Sequence, residues 1–592
     1  ASGNTGALIT TSGGVVSGST YGIGTNVSNG GATINNLAGG TIRTDTIGAG
    51  TFAIHSDAAG VTTVNNTGTV TGNVQFLGGG IGNSLFNNQV GGLFNAGTTV
   101  NLGAGNRLRN AGTLAPGGEG AIQTTELDGN ITQTGTGTFQ VDVDQTAGTA
   151  DRVNASGSAE LDGNVQVRLQ NAAPGEQSVT ILSAAGGTTD NGLDVLSSPI
   201  LQASLSFPNA TDVVLTTEID FTPDSVDLGV DLNVNQTNIA EHLDESFNAG
   251  GGGLGPVFEG LLNGVVSGPD YIAALDQLLP EIYLNTQATA LFAAEEFNGN
   301  LLSCPKAGEG FTAISQGQCM WLHFDGRWLD RDSTYEHIGF NEDTHGVSGG
   351  GQVAIAPNWF VGIAGAYENS NLDTRTNASA DSDRYMLGGV IKYHSGPVLM
   401  ALAGSIGTGE VDVARPIDFG GFTATARSSF DVDHAGATFH AAYLMDRASW
   451  YAKPFIDVNA IHVERDAARE TGGGAANLNI AGSSETIFSV TPALELGTTF
   501  EWSGGRAIRP YMRAGVTFYG DTDQSLTARF ANAPGGVGAF QTLSEFDDIF
   551  ADVEAGVTLF NGAQHTFSAG YEGHFSDNTQ VHGVFFKGTR KF

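Results

Sequence analysis

The chain has 592 residues, enough for two or more domains that each bury a core. Glycine supplies 87 of them, charged residues only 14% and proline 16, which excludes a collagen-like chain or a disordered polyanion and favours a β-protein rich in tight turns. A formal charge of −37 excludes nucleic acid as a partner, because a phosphate-binding surface needs clustered Lys and Arg; no lysine precedes Lys306, and only five arginines do, Arg43, Arg107, Arg109, Arg152 and Arg168.

No signal-peptide pattern opens the sequence, so residue 1 is expected at a mature N-terminus. From there to about residue 120 one theme recurs: "INNLAGGTI" at 34, "VNNTGTVTG" at 64, "FNNQVGGLF" at 86 and "LRNAGTLAPGG" at 108. The second asparagines, Asn36, Asn66, Asn88 and Asn110, are 30, 22 and 22 residues apart. Such spacing, with alternating apolar pieces and Gly/Asn corners, predicts the coils of a β-solenoid. Asparagines at equivalent corners are expected to stack in a hydrogen-bonded ladder, a structural rather than a catalytic role. From about 121 to 225 more regular strands, "TFQVDVD" and "NVQVRLQ" among them, continue the solenoid, whose end needs a cap over its open core and strand edges.

Between about 236 and 302 the period changes to that of helices. Ile272, Leu275, Leu278 and Leu279 share one face, as do Leu284, Ala288, Leu291 and Phe292, with Pro280 as the break and "NAGGGGLGP" as a flexible joint. Two cysteines follow, Cys304 and Cys319; they either close a disulfide in an oxidising compartment or remain two buried thiols.

From Cys319 onward the sequence alternates with a period of two. In "MWLHFDGRW" Met320, Leu322, Phe324 and Trp328 fall on one face, and Trp321, His323, Asp325 and Arg327 on the other. Glu495, Arg509, Arg513, Asp552, Glu554 and Glu572 occupy the polar phase of later strands, opposite Phe488, Leu494, Met512, Val553 and Tyr571. Twelve such segments run to the C-terminus. Many reach ten residues or more, aromatics recur near their ends (Trp328, Trp359, Tyr393, Trp450, Trp502, Phe518), and an even number allows closure. No apolar run is long enough for a membrane helix, so the expectation is a transmembrane β-barrel with a polar lumen rather than a soluble sandwich.

A solenoid, a helical linker and a C-terminal twelve-stranded barrel ending at Phe592 together resemble a bacterial autotransporter of the type V secretion family, over essentially the whole chain. The resemblance implies a right-handed parallel β-helix passenger at 1–120 and a C-terminal, autochaperone-like passenger region at 121–230. It implies a helical linker through the pore at 231–308 and a twelve-stranded antiparallel barrel at 309–592 that translocates and anchors the passenger at the outer membrane. His323, Asp325, Arg327, Glu495, Arg509, Arg513, Asp552, Glu554 and Glu572 then line the pore. Val584, Phe586 and Phe592 lie in the phase of the family's terminal assembly signal, with Gly588 and Arg590 where apolar residues are commoner. Partners implied are outer-membrane lipid, the barrel-assembly machinery, periplasmic chaperones and an unidentified extracellular or host-surface ligand. Some members cleave themselves at an asparagine of the pore helix, which makes Asn233, Asn235 and Asn238 candidates.

Catalytic motifs are sparse. The sequence has no H-E-x-x-H, Walker loop, G-x-S-x-G elbow or G-D-S-G run, so neither an enzyme nor a cofactor is expected. Two weak metal candidates, the turn at 79–86 with Asn83 and Ser84 and the carboxylates Asp142, Asp144 and Asp151, read better as a plain turn and solvated loop acids. The alternative to a self-displaying adhesin or aggregation factor is a porin-like channel with an extracellular cap.

Overall fold

The computed structural model describes residues 2–3, 6–78, 82–196, 198–302, 304–307, 314–447, 450–502, 506–520, 522–561 and 564–592. The expected boundary at 308/309 and part of the turn at 79–86 lie outside the described residues. The chain divides into two compact units, Ala1–Gly229 with Phe258–Tyr271, and Val230–Val257 with Ile272–Phe592.

The first unit is a β-solenoid of stacked parallel strands. One column runs through Ile9, Ile34, Val64, Phe86, Leu108 and Ile131, each in register with the next. From Ile34 on, this column is buried. Two residues along, the predicted ladder is present: Asn36 Nδ2 donates to Asn66 Oδ1 at 2.8 Å, Asn66 to Asn88 at 2.8 Å, Asn88 to Asn110 at 2.8 Å, and Asn110 to Gln133 Oε1 at 3.1 Å. A half-buried companion ladder lies one residue back, with Asn65 donating to Asn35, Asn87 to Asn65 and Arg109 to Asn87. Glycine makes the corner possible: Gly91 takes φ of 81°, and a Cβ on Gly92 would lie 2.6 Å from Asn88 Oδ1 and 2.3 Å from the Asn66 carbonyl. Parallel pairing continues through Ala159–Asn171 and on to Thr188–Leu196. Gln177–Ala184, Leu201–Ser206 and Asp212–Ile219 then pair antiparallel, changing the strand direction at this end of the stack.

The second unit is built on twelve long strands: β1 (Cys319–Arg331), β2 (Phe340–Ala356), β3 (Trp359–Thr374), β4 (Ser379–Ser395), β5 (Val398–Phe419), β6 (Phe422–Tyr443), β7 (Trp450–Arg465), β8 (Ser483–Thr498), β9 (Arg506–Gly520), β10 (Ile549–Asn561), β11 (His565–Phe575) and β12 (Thr579–Lys591). Each pairs antiparallel with its neighbours, and β12 pairs with β1, from Thr579↔Arg331 to Lys591↔Cys319, so the sheet closes. Two strands run farther at one end than apolar alternation marks them: β2 begins at Phe340 and β5 extends to Phe419. These polar extensions pass beyond the apolar belt, where alternation of hydrophobicity no longer marks a strand. The longest connections, between Arg465 and Ser483 and between Gly520 and Ile549, lie at that end, and the other end has short turns, as between Ala356 and Trp359 or Ser395 and Val398. Long loops face outward and short turns face the periplasm in barrels of this kind.

Burial here is the reverse of a soluble core. Met320, Leu322, Phe324 and Trp328 of β1 are 42 to 62% exposed, whereas Trp321, His323 and Arg327 are at most 7% exposed. Phe488, Leu494, Met512, Ile549 and Phe586 likewise face outward. Among the described residues no helix is long and apolar enough to cross a membrane; the strands carry the apolar belt.

Four helices follow a single turn, α1 (Ser225–Leu228): α2 (Val234–Asn248), α3 (Gly255–Gly264), α4 (Gly268–Leu278) and α5 (Glu281–Leu302). Among the described residues only α5 enters the barrel, where nearly all of its length is buried on every side and packs against the β2–β7 wall. The expectation that the linker as a whole threads the pore is corrected. The glycine run after α2 and Pro280 break the segment, and α2 packs instead on a small sheet built by long loops, Ala468–Arg469, Leu478–Ile480, Asp523–Phe530 and Phe540–Glu545.

Candidate functional site

The lumen is the best-built polar site in the molecule. Its charges follow from register, because one hydrogen-bonded row across the sheet reads Lys453, Glu495, Arg513, Glu554, Glu572, Gly583 and Arg327 from β7 round to β1. Opposite charges directly across a strand pair attract. Lys453 Nζ lies 2.5 Å from Glu495 Oε2, and Arg513 Nη1 lies 3.1 Å from Glu554 Oε2. Phenols complete the acceptors: Tyr451 donates to Glu495 and Tyr511 to Glu554, each at 2.7 Å. Their rings lie over the glycines of the next strand, so a Cβ on Gly497 or Gly556 would sit within 2.6 Å of Tyr451 or Tyr511.

Helix α5 is fastened into this lattice by two of its acids, Glu295 and Glu296. Glu296 Oε2 is 2.9 Å from Arg327 Nη1, and Arg327 also faces Glu342 and Glu368 at 3.6 Å. Arg384 donates to Glu368 at 2.7 Å and to Thr289 of the helix at 2.9 Å. Glu295 accepts from Ser489 at 2.7 Å, Tyr519 at 2.6 Å and Asn459 at 3.3 Å. Near the helix's C-terminal end the contacts become apolar: Phe297 and Leu301 pack with Cys304, Cys319, Trp321, Met386 and Ala403, and Cys304 and Cys319 are joined by a disulfide. On its other side α5 leaves a cavity of about 380 Å³, lined by Lys453, Arg509, Arg513, Glu554, Glu572 and His574 among others.

All nine residues of the sequence-derived pore set face this lumen. Glu495, Arg513, Glu554 and Glu572 share the charged row, and Asp552 binds His574 at 2.6 Å. His323 lines the cavity with Arg327, Asp325 borders a smaller recess beside Glu296, and Arg509 stacks on Phe560 at 4.8 Å. The other half of each helix contact went unread. Glu295 and Glu296 are the only charges between Ile282 and Leu302, and a charged pair in an otherwise neutral helix is a signal of buried anchors. Glu342, Glu368 and Arg384 lie in the polar phase of β2 to β4 and carry the same signal.

The three linker asparagines sit at the head of α2, outside the lumen. Asn233 caps the helix through the Gln236 N–H in a capping box and donates to the Tyr335 carbonyl. Asn235 is fully buried, donates to Glu281 and to the Leu543 carbonyl, and accepts from the Leu543 N–H; Asn238 donates to the Gln541 carbonyl. Each amide is thus occupied: Asn235 and Asn238 dock α2 onto the loop sheet, and Asn233 caps the helix and ties it to the connection between β1 and β2. The same helix buries His242 between Phe530 and Phe540, and this burial lowers the imidazole pKa to about 4, with Arg529 adding to the effect.

In the solenoid, Asp142 and Asp151 are buried rather than solvated. Asp142 accepts from the Gly120 and Ala121 amides, and Asp151 from those of Gln123 and Asp142, while Asp144 points elsewhere and accepts from Ala147 and Asn171. Burial pushes the Asp151 carboxyl up to about 7. Ser84 accepts the Thr62 amide in a corner contact. Among the described residues no three His, Cys, Asp or Glu side chains converge to hold a metal ion. Val584 and Phe586 face outward on β12, and Phe592, just past its end, is exposed.

Residues 320–572 match the family model of the autotransporter β-domain. An extracellular serine protease of Serratia marcescens is 20% identical over 336 residues, 56% of this chain and 32% of that protein, so the chain spans about a third of that relative's length. Solved structures that are similar include the translocator domain of the Neisseria meningitidis autotransporter NalP (13% identity, 52% of this chain and 96% of that one, TM-score 0.37). The transport unit of the Escherichia coli autotransporter AIDA-I is similar at 11% identity, covering 52% and 99%, with TM-score 0.38. The β-domain match falls on strands that independently form a closed, apolar-faced twelve-stranded barrel with a helix in its lumen, so this part of the chain is an outer-membrane autotransporter β-domain, and the solenoid precedes it in sequence where a surface passenger stands.

Proposed function

We propose that the barrel exports its own solenoid and then holds it at the surface, and that the solenoid works by contact, in adhesion or aggregation, rather than by catalysis. The observation that carries this reading is the solenoid's outer face. Thr33 and Asn35 stack on Thr63 and Asn65, and Asn65 on Asn87, in strict register from coil to coil, a regular row of neutral hydrogen-bonding groups suited to multivalent contact. Histidine chemistry has little footing there. His55, the one histidine in residues 1–230, stacks on Tyr21 at 4.4 Å, and its Nδ1 has no hydrogen-bond partner.

Outer-membrane lipid meets the apolar belt in this reading, and the barrel-assembly machinery reads the outward Val584, Phe586 and Phe592 of the closing strand. Periplasmic chaperones keep the passenger unfolded before export, and the external ligand is a surface that the amide ladder can pair with. Protease applied to intact cells is expected to remove the chain N-terminal to 236 and to abolish cell settling or attachment together. Full protection of residues 1–230 excludes display.

The cavity beside α5 supports a second reading, a channel with an external cap. Conductance separates the two. A barrel held shut by α5 conducts poorly and opens when 236–302 is deleted, whereas a channel conducts with the helix in place.

A further inference from the structure

Apart from the space beside α5, the barrel unit carries a larger cavity, of about 560 Å³, at its long-loop end. Five separate pieces of chain wall it: the head of α2, the later turns of α4, the β1–β2 connection, the β3–β4 hairpin tip and the outer end of β5. It shares no lining residue with the cavity beside α5, and its size lies in the range of small-ligand sites. Its lining differs from the apolar norm of such sites, because only Ala273, Ile338 and Pro416 lack a polar side chain.

The wall is fixed from behind. Asn233 donates to the Tyr335 carbonyl at 2.8 Å, Gln236 to Asp276 Oδ1 at 2.8 Å, and the Asp418 N–H to Gln277 Oε1 at 2.7 Å. Arg375 is held by its backbone N–H on the Gly339 carbonyl and by Nη2 on Asp330 at 2.9 Å. The Asn377 N–H closes the hairpin on the Thr374 carbonyl, with φ at 63°, a left-handed turn that Asn tolerates. Polar groups on the same wall remain open. Among the described residues the Asn377 side chain and the Tyr335 hydroxyl make no hydrogen bond, and Tyr335 is 59% exposed. Asp276 and Asp418 each accept one side-chain hydrogen bond, Asp418 from Thr423, and among the described residues neither forms an ion pair.

That set of groups is selective. Two carboxylates without a paired cation repel an anion. Among the described residues no three metal-ligating side chains converge there, so a metal ion lacks a cage. An apolar molecule would strip water from these groups and return no hydrogen bond. A polyamine would suit the carboxylates but meet the Arg375 guanidinium in the same cavity. A neutral polyol suits each group in turn: its hydroxyls donate to Asp276 and Asp418, accept from Arg375 and Asn377, and take over the place of solvent, while the C–H face of a sugar ring lies on Tyr335. Walls already fixed in place lower the cost of ordering them around such a ligand.

We infer that this cavity is a binding site for a neutral saccharide at the outward-facing mouth of the barrel. Every lining residue belongs to the barrel's own unit, so the site is distinct from the contact surface proposed for the solenoid and does not depend on it.

The test uses the full-length chain in a detergent without a sugar headgroup, with glucose, galactose, N-acetylglucosamine and lactose as probes, followed by saturation-transfer NMR. At least one probe is expected to bind with a Kd of about 1 mM, a weak contact in which ligand replaces water. Tyr335→Ala, Asn377→Gly and Asp418→Asn should each weaken it about tenfold. All three side chains are exposed, and heat-modifiable migration confirms that each variant barrel has folded. A native chain that binds none of the four probes overturns the proposal. Binding that survives all three substitutions overturns it as well, because the sugar then sits elsewhere on the chain. Displacement of the sugar by inorganic phosphate or by spermidine also overturns it, since the ligand is then an ion. Sugar that co-purifies with the native chain and is missing from the variants supports the site and assigns its ligand to the cell's own envelope, whereas sugar bound only on addition supports it with a ligand from another surface.

Discussion

The solenoid and the barrel solve the same problem, an interior built from alternating strands, with opposite chemistry. In the solenoid the dry interior takes Ile, Val and Phe, and along one column its polar members are amides that satisfy one another from coil to coil. In the barrel the apolar residues leave for lipid, and the interior takes Arg, Glu and Tyr. The difference shows what fixes each structure. A solenoid coil is held by its two neighbours, so a fault in it stays local. A barrel lumen is held by charge pairs spanning many strands and a helix, so a single fault leaves several groups uncompensated.

The largest effect is expected where that dependence is greatest. Arg327→Gln leaves Glu296, Glu342 and Glu368 facing one another without their shared cation, a loss of about 3–5 kcal/mol for a buried charge partner. The melting of the folded barrel, followed by heat-modifiable migration, should fall accordingly. Adding Glu296→Gln should recover part of the loss; strict additivity of the two changes contradicts a shared network.

Next comes a dry site in the barrel's own unit. His242 is 3% exposed, and its pKa, lowered from 6.5 to about 4, means that the docked helix α2 holds it neutral. Stability is therefore full above pH 6.5 and is lost as pH falls from there towards 4, by at most about 3 kcal/mol. Hydrogen exchange across 234–248 should rise over that window, and His242→Phe should flatten the response.

These two sites also show where the sequence was legible. Alternation gave the phase of "MWLHFDGRW", and with it the lipid and lumen faces, because a period of two leaves no choice once one face meets lipid. The spacing of Asn36, Asn66, Asn88 and Asn110 gave the ladder for a similar reason, since residues one coil apart must stack. What went unread depends on partners far away in sequence. The docking of Asn235 on Leu543, 308 residues on, leaves no local periodicity, and neither does the loop sheet that receives α2. Glu296 was visible as a lone charge pair, but its partner Arg327 becomes identifiable only when the helix is placed inside the barrel.

The smaller effects belong to the solenoid and separate its two ladders. Asn88 accepts from Asn66 and donates to Asn110, to the Gly92 carbonyl at 3.2 Å and to the Thr113 carbonyl at 2.9 Å, all in a dry interior. Asn88→Ala leaves Asn110 Oδ1 and those carbonyls short of a donor, costing about 2 kcal/mol. Because coils couple only to their neighbours, enhanced hydrogen exchange should be confined to the strands near 62–66, 85–88 and 107–110 rather than spread to the whole stack.

Asn87 sits one residue away in the half-buried ladder, where water replaces a lost partner. Asn87→Ala should therefore cost no more than about 0.5 kcal/mol despite breaking contacts to both Asn65 and Arg109. A comparable loss at both positions would mean that register along the column, rather than burial of the amide, holds the coils together. If the outer ladder is the contact surface, the same substitution should leave the melting unchanged while reducing cell attachment, and that dissociation is what a purely structural outer ladder cannot produce.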